Sequence, residues 1–217
     1  MIKKRNLIMP IIVLILSYSC SSEDNTSDLQ TDNFYALTLG NSWNYKYYLK
    51  DMDTNVFLPT PVTETVDITE TIEIDNNTYY NFKHIVTGND GNYGMLPSNG
   101  EKNFTLRDSL GYLIDEIGLI KYTHTSNDEH FVDYNTESGG FAYYLDLSEA
   151  LDNVTTNAGS FSCYDNHYYF KDSNGTLSNS VDHIYREDGI GEILSTMSYM
   201  SQSDHFAEKR LEFYSLE

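Results

Sequence analysis

The sequence predicts an all-β fold: an antiparallel meander sheet, strongly curved or closed into an incomplete β-barrel, with very little helix. Three observations carry this. The 217-residue chain holds 19 Tyr and many Thr, Ile and Val, which favour strands. Several segments alternate apolar and polar residues with period two, and convincing amphipathic helices are absent. Short turn signals separate the segments, so sequence neighbours pair antiparallel. About ten strands in one such sheet must curl, pack in two layers or close.

The elements follow in order. In "SWNYKYYLK", Trp43, Tyr45, Tyr47 and Leu49 share a face, opposite Asn44, Lys46 and Lys50. "VTETVDITETIEI" puts Val62, Val66, Ile68, Ile72 and Ile74 on one side. Glu64 and Glu70 interrupt that side, so parts of this strand are expected to pass beyond the core or lie at an edge. Asp75-Asn76-Asn77 is a turn signal leading into "TYYNFKHIV". Further strands are expected at Phe104–Arg107, Tyr112–Asp115, Leu119–His124, Phe141–Leu147, Phe161–Lys171, Val181–Glu187, Glu192–Met200 and His205–Ser215. A short helix is expected at Ser148–Asp152. The longest stretch without strand signals, Thr87 to Asn103, contains "GNDGNYG" and is expected to be a flexible loop or a ligand-facing flap.

The first 19 residues, MIKKRNLIMPIIVLILSYS, have a basic start and an apolar run from Leu7 to Leu16. That run is about half the length a bilayer requires, so residues 1–19 read as a cleaved signal peptide. Ser17-Tyr18-Ser19-Cys20 resembles a bacterial lipobox, with Cys20 the lipidated residue. Ser21, Ser22, Glu23 and Asp24 are similar to the acidic export signal of surface lipoproteins in Bacteroidota-type bacteria. A diacylglyceryl thioether plus an N-acyl chain on Cys20 would anchor the protein without a spanning helix. Residues 20–33 then form the lipidated cysteine and an acidic tether too polar to order itself, spanning ~20 Å root-mean-square. A single β domain follows at 34–217.

Cleavage after residue 19 removes three bases; 13 less 3 leaves 10 against 33 acids, a net charge of −23. Such a surface repels nucleic acid and anionic headgroups. With Cys20 acylated, Cys163 is left unpaired, which suits a buried small hydrophobe.

"FYALTLGNSWNY" resembles the "F-x-PL-x-x-G-x-x-W-x-Y" opening of surface lipoproteins in the same bacterial group, matching at Phe34, Leu37, Gly40, Trp43 and Tyr45, with Ala36 in place of Pro. "VTTNAGSFSC" (Val154 to Cys163) and "DGIG" (Asp188 to Gly191) are similar to two later stretches of that family. The resemblance implies a half-barrel β fold akin in outline to lipoprotein carriers, an outer-membrane address at the cell surface, and no assigned activity.

Candidates for chemistry are sparse. Asp51-Met52-Asp53-Thr54-Asn55 opens like a calcium loop, but Val56 and Val62 occupy positions that need Gly and Glu. Asp172-Ser173-Asn174-Gly175 fails similarly at His183. The six histidines are scattered; the densest group is His124 with Asp128, Glu129 and His130, and His167 lies near Asp165. Neither has zinc-ligand spacing, so no metal and no cofactor is expected. No Gly-x-Ser-x-Gly elbow is present, and with 33 acids any carboxylate pair can be imagined. The aromatic strand "CYDNHYYFKD" places Tyr164, Tyr168 and Phe170 on one face, opposite Cys163 and Tyr169, and is the candidate ligand-stacking surface. The expected role is a non-catalytic binding or structural module held to the membrane through Cys20, with a glycan, an envelope protein or an apolar ligand as partner. The alternatives are a carrier with an apolar ligand in a concave sheet, and a secreted hydrolase.

Overall fold

A computed structural model describes residues 33–135 and 141–217. Cys20 and Ser21, Ser22, Glu23 and Asp24 lie outside the described residues, as does the signal segment. Thirteen strands are described, and no helix accompanies them. They are β1 (Ser42–Lys50), β2 (Phe57–Ile74), β3 (Asn77–Thr87), β4 (Gly100–Ser109), β5 (Tyr112–Asp115), β6 (Ile120–Thr123) and β7 (His130–Asn135). After these come β8 (Phe141–Leu147), β9 (Asp152–Thr156), β10 (Gly159–Lys171), β11 (Asp182–Glu187), β12 (Gly191–Ser198) and β13 (His205–Ser215). One antiparallel sheet runs β6-β5-β4-β3-β2-β1-β13-β12-β11-β10-β8-β7, with β9 paired to the first half of β10. The sheet curls into a barrel that is nearly closed, as the alternation and short turns predict.

β1 occupies the residues its alternation marks out, and Trp43, Tyr45 and Tyr47 are buried as one face. The β2–β3 hairpin turns on Asp75 and Asn76, both at positive φ, the geometry that two-residue hairpins favour. A register shift between Ile68 and Glu70 ends the buried part of β2, and Glu70 is exposed beyond it, as expected. Glu64 departs from expectation: its side chain is only 8% exposed, inside the barrel rather than at an edge.

Three other segments differ. The short helix expected at 148–152 is instead a bend followed by β9, because the Ser148 amide donates to the Asp165 carbonyl and Asp152–Thr156 pairs with β10. β7 and β9 escape prediction because both are short and neither alternates cleanly. The 88–99 loop is clipped into place: the Asn89 amide donates to the carbonyls of Tyr93, Leu96 and Pro97, and Leu96 packs with Tyr47, Val62, Val86 and Ala207.

The sheet ends, β6 and β7, are not paired with each other. Side chains bridge this seam. Asn166 on β10 uses both ends of its amide, accepting from the Thr123 N–H at 2.7 Å and donating to the Thr123 carbonyl at 2.9 Å. Tyr122 donates to the Tyr164 carbonyl, and Asn127 to the Leu147 carbonyl. These polar groups at the seam thus find partners where no ladder exists. Phe34 and Tyr35 plug the barrel beside the seam, packed with Leu113 and Tyr122; Phe34 also stacks on His124 at 3.8 Å.

Candidate functional site

Cross-strand register gathers the site. Trp43 lies opposite Val66, Val66 opposite His84, and Phe82 opposite Phe104, while Leu106 lies opposite Tyr80. Directly opposed residues share a face, so these side chains form one concave wall. All of them but Tyr80 line a cavity of about 470 Å³ inside the barrel. Half-exposed Phe104 stands at its rim, with Asp115, Glu116 and Lys121 near the β5–β6 turn.

The two heaviest wall residues are fixed by hydrogen bonds across the barrel. The Trp43 indole N–H donates to the Ile190 carbonyl at 2.6 Å, and the Tyr45 hydroxyl donates to the Glu192 carbonyl at 3.0 Å. Gly191 lets the indole approach: its φ is +112°, and a Cβ there would lie 3.1 Å from Trp43 Nε1. The Gly189 N–H donates to the Phe34 carbonyl. The stretch beginning at Phe34 and the "DGIG" turn are therefore in contact, and together they hold one side of the cavity.

Next to this turn the wall is charged. Lys209 Nζ is 2.8 Å from Glu192 Oε1 and 3.6 Å from Glu64 Oε2, and sits over the Tyr45 ring at 4.7 Å. Glu64 accepts from the Tyr47 hydroxyl at 2.7 Å, and its other oxygen is 2.7 Å from His84 Nδ1. Arg186 Nη2 approaches Glu192 at 3.8 Å. Burial alone would raise the Glu64 carboxyl, but Lys209, then His84 and Tyr47, hold it down at about 2. Glu192 is likewise lowered against its burial by Lys209 and Arg186. Burial would lower the Lys209 ammonium, yet Glu192 and Glu64 keep it above its ordinary value. Two acids and two bases neutralise one another, so this end of the cavity asks for no net charge from an occupant.

Tyr164, Tyr168 and Phe170 lie on one face of β10, as alternation predicts, but do not line this cavity. Tyr164 packs edge-on against Phe34, Tyr168 stacks on Tyr143 at 5.6 Å, and Phe170 is buried against Phe141 and Tyr143. Asp51 caps its own hairpin tip by accepting from the amides of Asp53 and Thr54, and Asp172 does the same for its turn. Cys163 is a fully buried free thiol in the main core. Sequence reasoning misses the Glu64–Lys209–Glu192–Arg186 group. Its one visible signal is Glu64 standing in phase with Val62, Val66 and Ile68; the neutralising lysine is on the last strand.

No protein-family model matches the sequence, and no curated protein matches it. Two solved structures align with this chain. A Bacteroides fragilis protein, provisionally named as exported and described with a YmcC-like fold, aligns with a TM-score of 0.52 at 10% identity, covering 84% of this chain and 98% of that one. A Parabacteroides distasonis protein, provisionally named a lipoprotein, aligns with a TM-score of 0.44 at 12% identity over the same shares. The first likeness shows that this chain has the fold of that exported protein.

Proposed function

We propose that the chain is a lipid-anchored, non-catalytic binding module of the bacterial cell envelope, and that its barrel cavity takes a small neutral ligand with an apolar body. The cavity carries this reading. Its volume falls in the ~300–1,000 Å³ range of small-molecule sites, its wall is aromatic and aliphatic, and its polar end is already neutralised. The hydrogen bonds on Trp43 and Tyr45 hold the wall in shape before any ligand arrives, which lowers the cost of binding. A glycosidase-type pair of carboxyls needs one that keeps its proton near neutral pH. Glu64 and Glu192, the convergent acids, are both held ionised. The envelope address rests on the Cys20 signal and on the provisional name of the exported neighbour.

Trp43 is the chain's single tryptophan, so its emission reports the cavity. Titration with the neutral dye N-phenyl-1-naphthylamine should give saturable energy transfer from Trp43 at one dye per chain. Val66→Phe, which fills the cavity, should weaken it at least tenfold with the circular dichroism unchanged. If that variant misfolds, Phe104→Glu at the rim serves instead. Absence of saturable transfer, or transfer indifferent to both variants, refutes the reading. For the address, Cys20→Ser should leave the membrane fraction. Altering Ser21, Ser22, Glu23 and Asp24 to Ala should reduce protease shaving of intact cells.

A further inference from the structure

We propose that Asp165, His167 and His183, on the sheet face opposite Tyr164 and Asn166, form a binding site for a divalent transition-metal ion of the zinc type. Register creates the cluster. His167 of β10 is paired with His183 of β11, so the rings stand side by side with centroids 5.1 Å apart, and Asp165 is two residues along the same face. Asp165 Oδ2 is 2.7 Å from His183 Nδ1 and 3.4 Å from His167 Nε2, and the three donor atoms all lie within 4.8 Å of one another. Ligands ~2.0–2.2 Å from a tetrahedral zinc stand ~3.4 Å apart, so small rotations admit an ion.

Two further observations point to a cation rather than to a carboxylate simply bridging two imidazoles. Asp165 Oδ1 is buried and has no hydrogen-bond partner among the described residues, although the side chain is only 3% exposed. A bridge through Oδ2 leaves that oxygen unexplained; a cation held by both oxygens of the carboxylate satisfies it. Asp146 Oδ1 lies 2.9 Å from His167 Nδ1, on the far side of the ring. A carboxylate there keeps the proton on Nδ1 and turns the Nε2 lone pair toward Asp165, the arrangement that orients metal-bound histidines. Asp146 is itself steadied by the Tyr169 hydroxyl at 3.0 Å.

Two imidazole nitrogens and one carboxylate favour zinc-like ions over calcium or magnesium, which prefer oxygen ligands. The histidine side chains are 34% and 30% exposed, so an ion can reach them, and a fourth position is left for water or a partner's side chain. Cys163, two residues before Asp165 on β10, is a poor competitor because it is fully buried in the main core.

The test is zinc calorimetry and cobalt absorption on the full chain after chelator treatment. One ion per chain should bind, with cobalt giving a visible d–d band and no thiolate charge-transfer band. The double variant His167→Gln/His183→Gln should bind at least ~100-fold more weakly, and Asp146→Asn ~10–100-fold more weakly. His205→Gln should be unchanged. Zinc should raise the melting temperature of the native chain and not that of the double variant. The half-exposed histidines carry the test because replacing buried Asp165 risks the fold. No saturable uptake, uptake unchanged in the double variant, or a thiolate band overturns the proposal.

Discussion

Glu64→Gln is the sharpest probe of the charged end of the cavity. Gln keeps the shape and can still accept from the Tyr47 hydroxyl, but removes the charge facing Lys209. The carboxyl moves from an ordinary 4.5 to about 2 on folding. At ~1.4 kcal/mol per tenfold change, that corresponds to about 3 kcal/mol of stability specific to the ionised group. The same figure lies at the lower end of the ~3–5 kcal/mol expected when one member of a buried ion pair is removed. The sign is fixed by the direction of the shift. Because the folded carboxyl is depressed, its contribution is fully present above 4.5 and disappears as pH falls toward about 2. Urea denaturation of both proteins across that interval measures it. At pH 7 the variant should be less stable by about 3 kcal/mol, and the gap should narrow as the solution is acidified. Glu192, Glu208 and Asp165 are also depressed, so both proteins lose stability in acid. Only the difference between the curves isolates Glu64. A gap below ~1 kcal/mol at pH 7, or one that does not narrow in acid, refutes the reasoning.

Asn166→Leu should leave the Thr123 N–H and carbonyl buried without partners, costing about 3 kcal/mol and speeding hydrogen exchange in β5 and β6 more than in β1 and β13. Gly88→Ala places a Cβ 2.1 Å from the Pro61 carbonyl oxygen at a φ of +81°, so the urea midpoint should fall by the equivalent of at least ~2 kcal/mol. In a Cys20→Ser background, Cys163 should resist thiol reagents at pH 8 until the domain unfolds; its labelling rate should then follow the unfolding rate.

Much of the architecture is legible in the sequence because it rests on local pattern. β1 carries its own two-residue period, and Asp75-Asn76 supplies a turn that positive φ demands. β7 and β9 are invisible because short strands without clean alternation owe their pairing to neighbours. The cavity is half visible: Trp43, Tyr45 and Val66 announce a buried face, but nothing local says that the face encloses space. Glu64 reads as a fault in β2 because its compensation is tertiary, supplied by Lys209 and His84. The Asp165 and His167 pair is visible in β10, whereas His183 joins it only through the β10–β11 register.

The pairing of β1 with β13 sets the order in which this molecule can assemble. Ser42 meets Ser215, so the join between the two halves of the sheet uses nearly the last residues of the chain. A chain emerging with its N-terminus first can form the β1-to-β6 meander from consecutive hairpins. The strands from β7 to β12 also pair in chain order, but the two meanders have no join until β13 arrives to bridge them. Closing so long a loop is the slow step that non-local pairing imposes. The barrel therefore stays incomplete until β13 has been delivered.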